Sequence, residues 1–204
     1  MKILIVANGC IKNTEWYKPM IEGCGKVIAA DGGADNCIKL GIIPDYIIGD
    51  MDSITAEAKK KFSASKIIED KDQDKTDLQL AIRLAESLRP ENITVIGATG
   101  ERLDHTIGNV LSLADSESDI MIIDENNEVY SVNDSIEIHG RKGDIVSVIA
   151  VSEVSGLAYE GLRWELKNKD VHSGWMGVCN EMNGDSAKIS VTSGKIIVIK
   201  SRDG

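Results

Sequence analysis

The sequence predicts an α/β domain built on a mostly parallel sheet, followed by a small antiparallel β-sandwich. Three observations carry that prediction. Through about Asp124, short β-branched runs alternate with helical stretches, which is the βαβ pattern of a parallel sheet. After Asn126 the helical periodicity stops, and alternating apolar and polar segments are separated by Gly, Asn and Asp turns. The chain has 204 residues, 42% hydrophobic and 27% charged, enough for one large or two small domains with a self-sufficient core.

Taken in order, strands are expected over residues 3–7, 26–30, 46–48, 67–69, 93–97 and 120–124. The clearest helix covers 77–88. Leu78, Ala81, Ile82, Ala85 and Leu88 share one face, and Thr76 with Gln79 forms a capping box at its start. A second helix over 105–114 follows the glycine-rich turn at Gly97 to Gly100, and another begins near Thr55 with Ser53 as its N-cap. In the second half, strands are expected over 135–139, 145–151, 188–191 and 195–200. The division into 1–125 and 126–204 falls in a short connection near residues 125–128.

Composition excludes several classes of function. Aromatics are only 4%, so the core must be built from Ile, Leu, Val and Ala. The formal charge is −10 and the isoelectric point about 4.8. That argues against nucleic acid or an anionic membrane as a partner, because phosphate surfaces reward clustered Lys and Arg. No apolar run approaches the roughly 18 residues of a membrane span. The opening apolar stretch is too short for a signal-peptide core, so a soluble, cytoplasmic protein is expected. Cys10, Cys24, Cys37 and Cys179 contain no CxxC pair, and His105, His139 and His172 lie far apart. Neither set makes a zinc site. Cys10, Cys24 and Cys37 read as reduced, buried small hydrophobes. The GxxxxGK[ST] phosphate loop and the GxGxxG dinucleotide fingerprint are both missing.

The informative feature is where the aspartates fall. Asp31 follows the second strand in ADGGAD, and Asp50 and Asp52 follow the third in GDMDS. Asp72, Asp74 and Asp77 follow the fourth in DQDKTD, and Asp104 follows the fifth in GATGERLDH. Ligands of open parallel sheets bind outside the carboxyl ends of the strands, so these carboxylates return to one functional edge. Crowded carboxylates repel unless a cation relieves them, and a hard divalent ion such as Mg²⁺ does so. Taken singly, Asp31 could make a tight turn, Asp50, Asp52 and Asp104 could cap helices, and Asp77 could favour a helix dipole. Their shared edge favours a site. Gly97 to Gly100 lets the backbone approach a phosphate, and Arg102 supplies positive charge. Together these suggest a metal-nucleotide site for phosphoryl-type transfer.

The order ADGGAD, PDYIIGDMDS, DQDKTDLQLAI, GATGERLDHTIGN and GLRWELKN resembles the thiamine pyrophosphokinase family. The match runs from the first strand almost to the C-terminus. It implies a Rossmann-like N-terminal domain (1–125) carrying ATP and Mg²⁺, and a C-terminal β-sandwich (126–204) for thiamine binding and dimerisation. It also implies a homodimer whose active site lies at the subunit interface.

By that resemblance Asp50, Asp52 and Asp77 are the metal-binding carboxylates. Asp31, Gly32, Gln73, Thr76 and Arg102 hold the nucleotide. Asp104 stands beside the reacting phosphate and thiamine, as general base or as an orienting group. Asn180 in GVCNE resembles the thiamine-site asparagine of the sandwich. The family shows serines around it, whereas here Cys179 precedes it, a weaker hydrogen-bond partner. Trp175 either stacks on a pyrimidine ring or packs in the sandwich. The implied reaction passes the pyrophosphoryl group of ATP to the hydroxyl of thiamine, giving thiamine diphosphate and AMP. Two rivals share the architecture: a pyrophosphokinase for another alcohol such as a hydroxymethylpterin, and a non-catalytic thiamine or nucleotide sensor.

Overall fold

The computed structural model of the chain describes residues 1–70, 72, 74–100 and 102–202. Gln73 lies outside the described residues. The chain divides into two compact units, Met1–Glu125 and Asn126–Gly204.

The N-terminal unit is built on six strands: β1 (Lys2–Val6), β2 (Lys26–Ala30), β3 (Tyr46–Gly49), β4 (Lys66–Glu69), β5 (Asn92–Ile96) and β6 (Ile120–Ile123). Among the described residues all their pairings are parallel, in the order β4-β3-β2-β1-β5-β6. From β1 the chain lays strands outward on one side and then returns to place β5 on the other. The direction of winding therefore reverses between β1 and β5, leaving a crevice at their carboxyl ends. A parallel sheet is covered on both faces, which explains why β1 is buried at Ile3, Leu4, Ile5 and Val6 alike. The core under one face joins Leu4, Val6, Ala29 and Ile47 to Ala34, Cys37, Ala58 and Phe62.

The last four come from α2 (Gly33–Leu40), α3 (Ala56–Lys61) and the end of α3, while α1 (Lys18–Glu22) is a short turn after a Pro-containing start. α4 (Asp77–Ser87) lies against β1, β2 and β3 and buries Leu78, Ala81, Ile82 and Ala85. Its capping box is present as expected: the Thr76 hydroxyl accepts from Gln79 N at 3.2 Å, and Gln79 Oε1 accepts from Thr76 N at 3.0 Å. The N-cap of α3 is Thr55 rather than Ser53, because the Thr55 hydroxyl accepts from Ala58 N at the first free turn. α5 (Leu103–Ser112) begins two residues before the expected His105, with Arg102 at its N-cap position and Asp104 inside its first turn.

The C-terminal unit pairs two antiparallel sheets. One carries β12 (Met176–Glu181), β9 (Ile145–Ala150), β14 (Ile196–Ser201) and β7 (Asn127–Val132) in that order. The other carries β11 (Leu166–Val171), β10 (Val154–Glu160), β13 (Ser186–Ser190) and β8 (Ser135–His139). Inward residues alternate along the strands, as Val146, Val148 and Ala150 do in β9, and they meet Leu157, Tyr159 and Ile189 of the opposite sheet. Of the four cysteines only Cys37 is buried; Cys10 and Cys24 are half-buried and Cys179 is exposed.

One charge cluster is enclosed in this sandwich. The side chain of Lys200 is only 5% exposed, and its ammonium lies 2.9 Å from Glu128. Glu128 also accepts from Tyr130 at 2.6 Å and from Arg202 at 2.7 Å, and Lys200 donates to the His139 carbonyl. Burial alone raises the Glu128 carboxyl, but these donors outweigh it and hold it below the ordinary range. Removing one member strands a buried charge, which typically costs about 3 kcal/mol or more. Glu128→Ala is therefore expected to lower stability by about 3 kcal/mol, and adding Lys200→Met should recover much of that loss. Urea unfolding followed through the sandwich tryptophans checks both; an additive double mutant would show that the pair is not coupled.

Candidate active site

The crevice between β1 and β5 opens into a cleft of about 630 Å³ in the N-terminal unit. Its floor is backbone. The loops leaving β1 and β5 are stitched together by Gly9 N to Gly97 O at 2.6 Å and Cys10 N to Thr99 O at 2.9 Å. A Cβ on Gly9 would stand 2.4 Å from both the Gly97 and Thr99 oxygens, so this approach requires glycine. The buried Asn36 of α2 donates to Ala7 O at 2.8 Å and Gly9 O at 2.9 Å, which pins the first loop. Asn109 of α5 donates to Ala98 O and Thr99 donates to Asp124, which pin the second.

The carboxylates gather beside this floor. Asp31, Asp50 and Asp52 each bring an oxygen within 4.8 Å of the others'. Asp31 is 1% exposed; its Oδ2 accepts from Ser53 N at 3.1 Å, while its Oδ1 is buried with no hydrogen-bond partner. A buried carboxylate oxygen without a donor is costly, and a hard cation is the partner that three clustered carboxylates fit. Asp77 lies close by. Burial first, and then the charges of Asp31, Asp50 and Asp52, push its carboxyl up to about 6.

The backbone is bent to bring these groups together. Asp31 has φ +42° and Met51 φ +66°, a conformation that side-chain-bearing residues seldom adopt. Gly49 has φ +151°, and a Cβ there would lie 2.7 Å from both Asp31 Cβ and Asp77 Oδ1. Gly32 stands at the N-cap of α2, directly after Asp31.

Arg102 and Asp104 face the cleft and each other. Arg102 donates through Nε to Asp104 Oδ1 at 3.0 Å and through a terminal nitrogen to Oδ2 at 2.6 Å. That hydrogen bonding holds the Asp104 carboxyl far below the ordinary range. Thr76 and Asp77 also line the cleft. The structure thus brings Asp31, Asp50, Asp52 and Asp77 into one cluster, with Thr76, Arg102 and Asp104 on the same cleft.

In the sandwich, the other two sequence-derived candidates have different surroundings. Trp175 is half-buried and packs on the sandwich core, with the Lys169 ammonium 5.1 Å from its ring. Of the two readings of this residue, the core one describes its contacts. Asn180 is buried, and its amide is committed to backbone groups: Oδ1 accepts from Trp164 N and from Glu181 N, each at 3.0 Å, and Nδ2 donates to Trp164 O at 2.8 Å.

Trp164 itself is 56% exposed, with the Arg163 guanidinium 4.7 Å from its ring centre. Arg163 is in turn held by Glu181 at 3.0 Å. A large aromatic face presented to solvent and clamped from behind has the form of a stacking platform. Sequence reading quoted Trp164 inside GLRWELKN without giving it a role. What brings it to Asn180 is the isolated antiparallel bridge between Leu162 and Met182, which no local sequence pattern signals.

Known proteins resemble this chain over most of its length. Residues 17–123 match the thiamin pyrophosphokinase catalytic domain, and residues 131–196 match the thiamin pyrophosphokinase vitamin B1 binding domain. The thiamine pyrophosphokinase of Bacillus subtilis (strain 168) is 28% identical over 186 residues, covering 86% of this chain and 87% of that protein. The crystal structure of thiamine pyrophosphokinase from Bacillus subtilis is similar with a TM-score of 0.87 at 27% identity, covering 100% of both chains. The thiamin pyrophosphokinase structure from Geobacillus thermodenitrificans gives 0.82 at 28% identity, covering 100% of this chain and 99% of that one. Among the described residues no helix is long and apolar enough to cross a membrane. With the catalytic-domain match alone spanning more than half of its length, the chain belongs to the thiamin pyrophosphokinase family.

Proposed function

We propose that the N-terminal cleft carries the family's reaction, transfer of the pyrophosphoryl group of ATP to the hydroxyl of thiamine, with these residues in these roles. The observation that carries the assignment is the carboxylate cluster of Asp31, Asp50 and Asp52 beside a glycine-floored crevice at the reversal of strand order. ATP lies with its phosphates along the Ala7–Cys10 and Ala98–Gly100 loops, where Gly9 and Gly97 let the backbone come close. Asp50 and Asp52, joined by the buried Asp31 and with Asp77 at the edge, would hold Mg²⁺. When bound, that ion supplies charge neutralisation on the polyphosphate.

Arg102 binds and orients the transferring group and stabilises the charge that grows on it. The thiamine hydroxyl oxygen forms a bond to the β-phosphorus as the bond from that phosphorus to the α,β-bridging oxygen breaks. AMP leaves with the bridging oxygen, and the hydroxyl proton passes to solvent. Asp104, paired with Arg102 and held strongly acidic, is a weak base, which supports an orienting role over general-base catalysis.

Trp164 offers the acceptor's aromatic ring a stacking face, and Asn180 acts through Trp164 by fixing its backbone. Trp164, Trp175 and Asn180 all fall within the vitamin B1 binding match. The homodimer is proposed on the family resemblance. Leu103, Ile107 and Leu111 form an exposed apolar row on α5, and Met176 and Val178 another on β12, surfaces that a second copy would cover. A cytoplasmic location is proposed, in keeping with ATP as co-substrate.

The first test incubates the chain with ATP, Mg²⁺ and thiamine and follows AMP and thiamine diphosphate together. Equimolar appearance is expected, with a loss of about 100-fold or more in Asp50→Asn. AMP release indifferent to thiamine but responsive to a hydroxymethylpterin would replace the acceptor.

A second test uses the carboxyl of Asp77. Its pKa is raised in the folded chain, so between pH 4 and 6 the folded state holds the proton that the unfolded state has lost. Stability from this group therefore falls as pH rises through that window and levels off above about 6. Asp77→Asn should remove this decline and leave a folded protein at least as stable as wild type at pH 7, while turnover collapses. Denaturant midpoints measured at a series of pH values check the sign; an Asp77→Asn protein less stable at pH 7 than at pH 4 relative to wild type would contradict it.

A further inference from the structure

The charge balance of the cleft is incomplete with the residues so far assigned. ATP carries about −4 near neutral pH, and one divalent ion cancels half of that. Five carboxylates line the cleft: Asp50, Asp70, Asp72, Asp77 and Asp104. Arg102 offsets one of the charges left on the nucleotide. Among the described residues lining the cleft, the one other permanently cationic side chain is Lys75.

Its placement is defined from both backbone and side chain. Lys75 immediately precedes Thr76, the N-cap of α4, and both residues line the cleft. Lys75 N donates to Asp72 O at 3.3 Å, and the ammonium forms an ion pair with the Asp72 carboxylate. Asp72 is in turn steadied by Asp74 N, which donates to its Oδ1 at 3.1 Å, and Asp72 N donates to Asp70 Oδ1 at 3.0 Å. The Lys75 side chain is only 26% exposed, unlike a freely solvated surface lysine. An ammonium has three protons. One serves Asp72, and two remain for acceptors in the cleft.

We infer that Lys75 is a second phosphate-binding cation, contacting the polyphosphate of ATP, with Asp72 as the residue that positions it. The inference rests on the reading of this cleft as the ATP site. It mirrors the Arg102–Asp104 arrangement: in both, a cation lining the cleft is held by a carboxylate two or three residues away. Because each cation is already paired with a carboxylate, what the two offer the charge of about −2 left on a singly metal-loaded ATP is directional donors at contact distance rather than net charge.

Titration calorimetry of ATP with Mg²⁺, without acceptor, into the full chain tests this directly. Lys75→Met is expected to raise the ATP Kd by tenfold or more, and Lys75→Arg to bring it back within about threefold of wild type. Asp72→Asn should weaken ATP binding less than Lys75→Met, and should add nothing in the Lys75→Met background. In steady-state assays the KM for ATP should rise in Lys75→Met while the KM for thiamine stays put. Lys60→Met, on the exposed side of α3, serves as the control for general loss of positive charge.

An ATP Kd for Lys75→Met within twofold of wild type overturns the proposal. So does a loss that Lys75→Arg fails to recover and that raises the thiamine KM equally, since that pattern reports a disturbed α4 start. If wild type binds ATP but releases no AMP with thiamine, the acceptor reading falls and Lys75 is still judged by its ATP Kd. A wild-type chain that binds no ATP overturns both.

Discussion

Crowding of carboxylates at one sheet edge is the constraint around which the N-terminal unit is arranged. Asp31 and Asp50 leave adjacent parallel strands at their carboxyl ends, Asp52 follows two residues on, and Asp77 opens the helix lying across the same strands. Sheet formation does not require this. It is opposed by like-charge repulsion, by positive φ at Asp31 and Met51, and by burial of an oxygen that no donor reaches. The displaced Asp77 carboxyl records that opposition. Such strain persists only where the surroundings hold it, and here the holding is done by apolar packing. Leu78 and Ala81 anchor α4 one turn beyond Asp77, while Ile47 and Ala29 fix the strands beneath. On the proposed assignment, the core keeps in place an arrangement that a bound cation and polyanion make favourable.

On the proposed assignment, the same crowding explains how one site accepts two substrates of opposite charge. Thiamine carries a fixed positive charge on its thiazolium ring and suits an acidic surface, whereas ATP is repelled by one. The cleft reconciles them by keeping its cations local. Arg102 and Lys75 are each tied to a neighbouring carboxylate, so at a distance the cleft remains acidic, in keeping with the net charge of −10. At contact distance the guanidinium and ammonium still have unused protons, and directional hydrogen bonds to phosphate outweigh the screened long-range field.

How much of this was legible in the sequence follows from the range of the interactions. The α4 capping box is written in residues three apart, and strands such as 26–30 and 135–139 are local apolar patterns, so both could be read directly. The return of the aspartates to one edge could be read because strand parity and parallel winding are periodic. α2 was hidden: ADGGADN carries two glycines and two aspartates, which signal a turn, and tertiary packing of Ala34 and Cys37 overrides that signal. Thr55 takes the cap expected at Ser53, whose hydroxyl instead donates to Asp52 at 2.8 Å while its N–H is held by Asp31, a contact 22 residues away. The Arg102–Asp104 pair was visible as composition, but its orientation toward the cleft was not.

The sandwich shows most clearly why residue identity alone underdetermines a role. Register between β12 and β9 shifts between Gly177 and Asn180, and Cys179 within that irregularity has φ +60°. A bulge inserts an extra residue and re-aims the side chains after it. Met176, Val178 and Cys179 are therefore exposed, while Asn180 turns inward and closes on the backbone of Trp164. That geometry also disposes of the difficulty raised by a cysteine where the family shows serine. The clamp uses the amide of Asn180, and the group Cys179 contributes to the bulge is its backbone N–H, which donates to the Ser147 hydroxyl at 3.2 Å. Every residue but proline has that donor. The weak hydrogen bonding of a thiol thus does not reach the Asn180–Trp164 clamp, since what position 179 gives the bulge is a backbone conformation and an N–H rather than a side-chain hydroxyl.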